Sequence, residues 1–414
     1  MSAPTVVRGR LLCPAEKTEE IQVLDDGLIH MEAGRITAIT PTPPGCPVPT
    51  TEPGAVWLPG FVDTHIHFPQ TRIIGSASGP LLQWLDQSVF PEEARFREAA
   101  YAQAVAHEFC DALVRHGTTT ASIFSSSDPQ ATDLLFATLE ARGLRADVGL
   151  TLMDQGAPPE NLVAAGPALE AAEALIERWH GDRLRFSITP RFVLSCSPTL
   201  LRGAADLAAR HGLPVQTHLA ENTAEIAEVA RQFPHHADYL AVYTDHGLCG
   251  PRCLFAHCVH LPPAAWDRFA AAGAAVSHCP DSNFFLGSGC MPLAAPRSRG
   301  IRVGLGTDVG AGRSFSLRRV ATAAYDAALL TGSPVTSELL LWLATVGGAR
   351  ALGLEHRVGR LAAGLDADLV ALDAPETTGS ALFDALIHRR DAGPVRATWV
   401  AGQPVRQGEC HGNS

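Results

Sequence analysis

Four places in this 414-residue chain carry side chains that ligate first-row metals, and each ends or sits in a short apolar run. His65-Ile66-His67 closes one run, and Thr217-His218-Leu219-Ala220-Glu221 closes another. His257 lies in a third, and Thr307-Asp308 ends a fourth. In a strand, residues i and i+2 share a face, so His65 and His67 can reach one point. Imidazoles with a carboxylate suit zinc or another divalent first-row ion. A lone HxH pair is weak evidence, as compatible with two surface histidines as with a site. All four places together are far better explained by one metal centre than by separate accidents.

Such a centre needs elements that deliver every run to the same end of the molecule. From Gly60 onward, β-branched apolar runs alternate with Ala- and Leu-rich helical stretches. The expected strands are 61–67, 118–124, 147–153, 185–192, 214–219, 253–259, 274–279 and 302–308. Eight strands, each followed by a helical pattern, predict a closed (β/α)8 TIM barrel of α/β class, whose active site gathers at the C-terminal ends of the strands. Before the barrel, Ile29, Met31, Ile36 and Ile39 flank an Ala33-Gly34 turn and predict a hairpin. The Pro-rich stretch 41–53 reads as ordered turns leading into Trp57-Leu58-Pro59-Gly60. After the barrel, 359–373 and 397–405 alternate like strands. The division is therefore a catalytic barrel over 59–364 and a small β-sandwich domain formed from both chain ends, 1–58 and 365–414.

Composition narrows the partners. A formal charge of −11 and a pI near 5.8 repel nucleic-acid backbones and anionic membranes, so neither is an expected partner. No run of eighteen apolar residues suggests a membrane span, and the first residues have no signal-peptide core, so the expected location is cytoplasmic. The ten cysteines have no paired CxxC spacing, which argues for buried thiols over a zinc ribbon or disulfides. Gly304-Leu-Gly306 lacks the third glycine of a dinucleotide fingerprint, since Val309 stands there. The HxE and PCxxC signature of base-editing deaminases is absent. Histidines 107, 116, 180, 211, 235, 236 and 246 fall on helical or loop stretches and read as solvated, and His278 as core or as a neighbour of the ligands.

The pattern resembles the amidohydrolase superfamily over nearly the whole chain. Pro59-Gly-Phe-Val-Asp-Thr-His-Ile-His67 is similar to its opening motif, and Gly359–Asp373 to its closing β segment. Within it, the guanine deaminases are the nearest in pattern. The carrying motifs are His67-Phe-Pro-Gln70, Leu82-Gln-Trp-Leu85 with Phe90-Pro-Glu92, and Thr189-Pro-Arg-Phe192 with Ser195-Cys-Ser197. His218-Leu-Ala-Glu221, Phe255-Ala-His-Cys258 and Gly304–Gly312 complete them. Phe68, Thr71-Arg72-Ile73 and Asp281 depart from the usual pattern and leave every ligand in place.

What the resemblance implies is specific. His65, His67, His218 and Asp308 hold one Zn2+ per chain, with Fe2+ as the alternative ion, and His257 is a further ligand or a hydrogen-bond donor to the bound water. Catalysis falls to Glu221, Asp308 and His257; Gln70, Arg191, Phe192 and Glu221 contact guanine, beside His67, His218 and Asp308. The implied assembly is a homodimer. The chemistry fits these residue types. Zinc lowers the pKa of its water to about 7, Asp308 can orient that water, and Glu221 can protonate ring N3 and then the leaving amine. Arg191 offers a forked donor to the 6-oxo group or N7, and Phe192 can cover the ring. Sister activities on 8-oxoguanine, another purine or pteridine, or a triazine are the alternative, and a catalytically silent scaffold is the rival of another class.

Two constraints sharpen the expectation. On an unbroken strand, His218 and Glu221 point opposite ways, so the strand must end near Leu219 and the chain must turn. Otherwise Glu221 is an exposed first-turn carboxylate of a helix. Lys17 is the only lysine in the chain, and it precedes the barrel. A two-metal site bridged by a carbamylated lysine therefore cannot form, because arginine stays protonated and makes a poor carbamate. One metal ion is expected.

Overall fold

The computed structural model describes residues 5–373, 376–389 and 395–405. Phe61–His67, Thr118–Phe124, Arg145–Gly149 and Leu184–Phe186 lie side by side as one parallel sheet, and Val215–Leu219, Cys253–His257, Ala275–His278 and Arg302–Leu305 as a second. The two sheets join at both seams. At one, Ile188 bridges Val215 in parallel, and the Gln216 amide donates to the Ile188 carbonyl at 3.0 Å. At the other, the Asp308 amide donates to the His65 carbonyl at 2.8 Å, and that of His67 to Val309 at 3.1 Å. The ring is closed, so no strand edge of it is left to solvent. Every residue of Phe61–His67 and Thr118–Phe124 is buried, as parallel strands covered on both faces require.

Helices Ala99–Arg115, Pro129–Ala141, Ala165–Trp179, Pro198–His211, Thr223–Gln232, Pro263–Ala272 and Leu317–Leu330 run between and after the strands. Their starts are written locally. Asp128, Ser197, Asn222 and Ser316 each accept a hydrogen bond from a first-turn amide of the following helix.

The sixth strand stops at His257 and the eighth at Leu305, short of their expected ends, whereas the fifth ends at Leu219 as expected. Ala220 after the fifth, His257 and Cys258 at the end of the sixth, and Asp308 beyond the eighth take φ values of +50°, +71°, +52° and +49°. A left-handed residue cannot continue a ladder, and apolar periodicity does not report it. The third and fourth are each split, into Arg145–Gly149 with Thr151–Leu152 and Leu184–Phe186 with Thr189–Pro190.

Both chain ends meet in a seven-stranded sheet. Ile21–Glu32 and Arg35–Pro41 form the expected hairpin about Ala33 and Gly34, and Ala55–Pro59 pairs antiparallel with Leu369–Asp373. Residues 359–368 make turns instead of the expected strand, and Leu369–Asp373 is almost wholly buried where alternation was expected. Covered on both faces, it has no solvent side to show. The Pro-rich stretch is pinned by the Thr51 amide on the Arg8 carbonyl at 2.8 Å. Residues 1–4, 374–375, 390–394 and 406–414 of the expected terminal module lie outside the described residues.

The nine described cysteines are all free. Lys17 is exposed on the loop between the first two strands, where Arg297 pairs with Glu19 at 2.5 Å and Trp342 Nε1 donates to the Ala15 carbonyl at 2.9 Å. His246, expected to be solvated, is buried at the end of Tyr239–Asp245 with Nδ1 2.7 Å from the Val242 carbonyl; helix periodicity could not show what packs over that end. His278 is fully buried, and neither ring nitrogen has a hydrogen-bond partner. No described helix is long and apolar enough to cross a membrane.

Candidate active site

The strand ends bring the sequence-selected residues to one point. His67 Nε2 lies 3.2 Å from His65 Nε2 and 3.2 Å from His218 Nε2, and Asp308 Oδ1 lies 3.2 Å from His65 Nε2 and 3.3 Å from His67 Nε2. Ligand atoms about 2.0 Å from one tetrahedral ion stand about 3.3 Å apart, so these separations suit a small divalent metal. One atom each from His65, His218, His257 and Asp308 also lie within 4.8 Å of one another.

Protonation favours the same use. Burial lowers the pKa of His65 and His218, and takes that of His67 to about 3, so the three rings are neutral. His218 Nδ1 donates to the Arg191 carbonyl at 2.5 Å, which leaves its Nε2 lone pair facing His67. His257 Nδ1 stands 2.9 Å from Asn283 Oδ1, and its buried Nε2 faces the centre, 3.5 Å from Glu221 Oε2 and 3.8 Å from Asp308 Oδ2. Burial opposes ionisation of Asp308, but hydrogen bonds with His65 and His67 outweigh it and hold its carboxyl well below the usual range. Three imidazoles and a carboxylate converging on one buried point suit a bound cation, which offsets the cost of taking these groups out of water.

Glu221 swings inward as its position requires. Ala220 at φ +50° ends the strand, and Glu221 becomes 3 % exposed. Its Oε1 accepts from Ser288 Oγ at 3.1 Å, and Oε2 stands 3.5 Å from His257 Nε2. Burial, then the charge on Asp308, push its pKa up to about 8, so at neutral pH it carries a proton. The turn is fixed from below by Glu225. Glu225 Oε2 accepts the amides of Glu221 and Asn222 at 2.9 and 3.1 Å, while Oε1 accepts from Tyr239 at 2.7 Å.

The pocket holds about 400 Å³ of empty space with its open mouth included. Leu81, Trp84 and Leu85 from a short helical stretch line it with apolar surface, together with Gln70, Arg191, Phe192, Glu221 and Asp308. Gln70 donates to Glu93 Oε1 at 3.1 Å and accepts from the Gly310 amide at 3.0 Å; Arg191 Nη1 pairs with Glu93 Oε2 at 2.7 Å. Every residue selected from the sequence thus reaches this space or, for His65, its metal cluster.

Several contributors were missed: Glu93, Glu225, Ser288, Asn283 and Asp63. Asp63, wholly buried, accepts from the Thr307 amide at 3.0 Å, from Thr307 Oγ1 at 2.5 Å and from the His65 amide at 3.2 Å, tying the first strand to the last. Only Glu225 had a local signal, because Asn222-x-x-Glu225 is a capping box.

Comparison with known proteins agrees with the geometry. The amidohydrolase family model matches residues 56–405. Guanine deaminase of Escherichia coli K12 is 37% identical over 372 residues, covering 88% of this chain and 85% of its own. The probable guanine deaminase of Deinococcus radiodurans is 43% identical over 340 residues, covering 81% and 77%. Among solved structures, guanine deaminase from C. acetobutylicum with guanine bound in the active site superposes with a TM-score of 0.91 at 29% identity, over 98% of this chain and 100% of that one.

Proposed function

We propose that this chain, which belongs to the amidohydrolase family, is a guanine deaminase that hydrolyses guanine to xanthine and ammonia. The carrying observation is the buried Glu221 carboxyl facing the same small space as the His and Asp cluster and the Arg191–Gln70 wall. His65, His67, His218 and Asp308 would hold one divalent ion, zinc by the donor set, with His257 alongside. When bound, that ion supplies a water acidic enough to ionise near neutral pH.

The residues divide the remaining work. Arg191 and Gln70 receive the purine edge that carries the 6-oxo group, Phe192 lies against the ring, and C2 is thereby held at the cluster. Asp308 accepts a proton from the attacking water. Glu221 donates its proton to ring N3 as the C2 centre becomes tetrahedral, takes up the proton of the new C2 hydroxyl as the C2 carbonyl forms, passes it to the amine as the C–N bond breaks, and is reset by the proton held on Asp308. The hydrogen bond from Ser288 Oγ to Oε1 keeps the carboxyl aimed while the proton moves. We also take the barrel as 59–364 with 1–58 and 365–414 as the accessory module, and the working form as a cytoplasmic homodimer, on family resemblance.

Ammonia release from guanine, adenine and cytosine tests the assignment. Adenine has an amine where Arg191 meets an oxygen, so guanine should be favoured by about 10⁴-fold. Adenine or cytosine turning over as fast as guanine would end the reading. Fully active protein should contain close to one metal ion per chain, and two ions both needed for activity would refute the single-metal site.

A further inference from the structure

Among the described residues, Arg191 is the one arginine lining the pocket, and its charge is cancelled from behind. Glu93 does not line the pocket; it is 5 % exposed, beneath Arg191 and Gln70, with one carboxylate oxygen on each. These bonds do two things. A glutamine amide has two N–H donors and two carbonyl lone pairs. Glu93 takes one N–H, and the Gly310 amide takes one lone pair. The amide therefore cannot flip, and one donor and one acceptor remain for the ligand. The guanidinium, in turn, gives one N–H to Glu93 and keeps its other donors, but its net charge is cancelled.

We propose that Glu93 is a positioning residue that sets substrate specificity by making this pocket choose a neutral lactam-bearing base over an anionic one. The inference rests on the guanine assignment and adds a consequence for the product. Guanine is uncharged near neutral pH, whereas xanthine readily loses a ring proton as the pH rises. With Arg191 neutralised, the xanthine anion finds no compensating cation on this wall, so it leaves without being trapped. An arginine without Glu93 would hold it.

The test compares ligands that share the 6-oxo group and differ in acidity. Xanthine inhibition and guanine KM are measured for the wild type and for Glu93→Gln at a mildly acidic and a mildly alkaline pH. In wild type the ratio of xanthine Ki to guanine KM should stay flat or rise with pH. In Glu93→Gln it should fall by about tenfold or more at the alkaline pH, as an uncompensated buried cation attracts the anion. A merely structural role for Glu93 would move both constants together and leave the ratio unchanged, which would overturn the proposal. Glu93→Asp, which keeps the charge on a shorter arm, should raise guanine KM yet retain the wild-type ratio. If Glu93→Gln does not fold, Glu93→Gln/Arg191→Gln buries no unpaired charge and reads the same quantity. Both ligands lose the same donor to the 6-oxo group, so its ratio should return to within about threefold of wild type; an alkaline ratio displaced tenfold would refute the charge argument. Failure of wild type to turn over guanine would instead refute the assignment, and is measured separately.

Discussion

The two ends of the barrel treat polar groups in opposite ways. At the end where strands begin, charges are matched. Arg145 pairs with Asp366 while both are buried, Arg183 meets Asp368 at 3.0 Å, and Arg185 meets Asp147 at 2.5 Å. Arg302 is spent on backbone, giving Nη2 to the carbonyls of Pro251 and Gly273 at 2.6 and 2.7 Å. At the mouth, beside the one matched pair Arg191–Glu93, three imidazoles crowd the Asp308 carboxylate, His257 Nε2 makes no hydrogen bond, and burial pushes the Glu221 pKa up to about 8. The chain leaves three strands there through residues with side chains at positive φ. The floor is built to be stable, and the mouth carries strain and unpaired groups that a bound cation and substrate would satisfy.

Asp308→Ala should break that contrast most severely. Turnover should drop by about 10³-fold or more, with metal retained at well under one ion per chain, yet the denaturant midpoint should hold or rise. A lower midpoint with intact metal would mean that the mouth is structural. At the floor, Asp366→Ala strands Arg145 among buried groups and should cost about 3 kcal/mol in urea unfolding, while kcat stays within about twofold. A large loss of kcat in the folded protein would show that the ends are not independent.

Glu221→Gln separates acid chemistry from metal binding within the mouth. It keeps the shape but removes the transferable proton, so turnover should fall about 10²-fold with metal content unchanged. Near-normal turnover would remove Glu221 from the proton path. The smallest effect is expected far from either end. Ala33, exposed in the hairpin, has φ +50° beside Gly34 at +80°, a turn that favours Asn-Gly. Ala33→Asn should stabilise by about 0.5–1 kcal/mol with activity unchanged. Positive φ in the hairpin is thus replaceable, whereas at Ala220 it aims Glu221. Destabilisation by Ala33→Asn would contradict that distinction.

Legibility in the sequence followed how local each cause is. Barrel strands fall in short β-branched runs between Ala- and Leu-rich stretches, and HxH, HLAE and GTD stand at or just beyond their ends, so the clustered His, Glu and Asp residues could be read in place. The need for a turn between His218 and Glu221 could be stated, because strand geometry makes it unavoidable. The left-handed residue that makes the turn could not, since alanine does not advertise positive φ. Glu93 was hidden for another reason. Nothing in Phe90-Pro-Glu-Glu-Ala94 signals that both glutamates are buried, and it is the chain's return at Gln70 and Arg191 that sets Glu93 behind the pocket. His246 was misread in the same way, because what covers a helix end is set by distant sequence.

The solitary lysine has a practical side. Amine-reactive reagents meet only Lys17 and the α-amino group, and the Lys17 loop rests against Arg297 and Trp342, near where the eighth strand begins. A dye, biotin or resin attached there marks one defined side-chain position at the end of the barrel away from the mouth. Acylation of Lys17 therefore leaves the substrate entrance clear of the attached group.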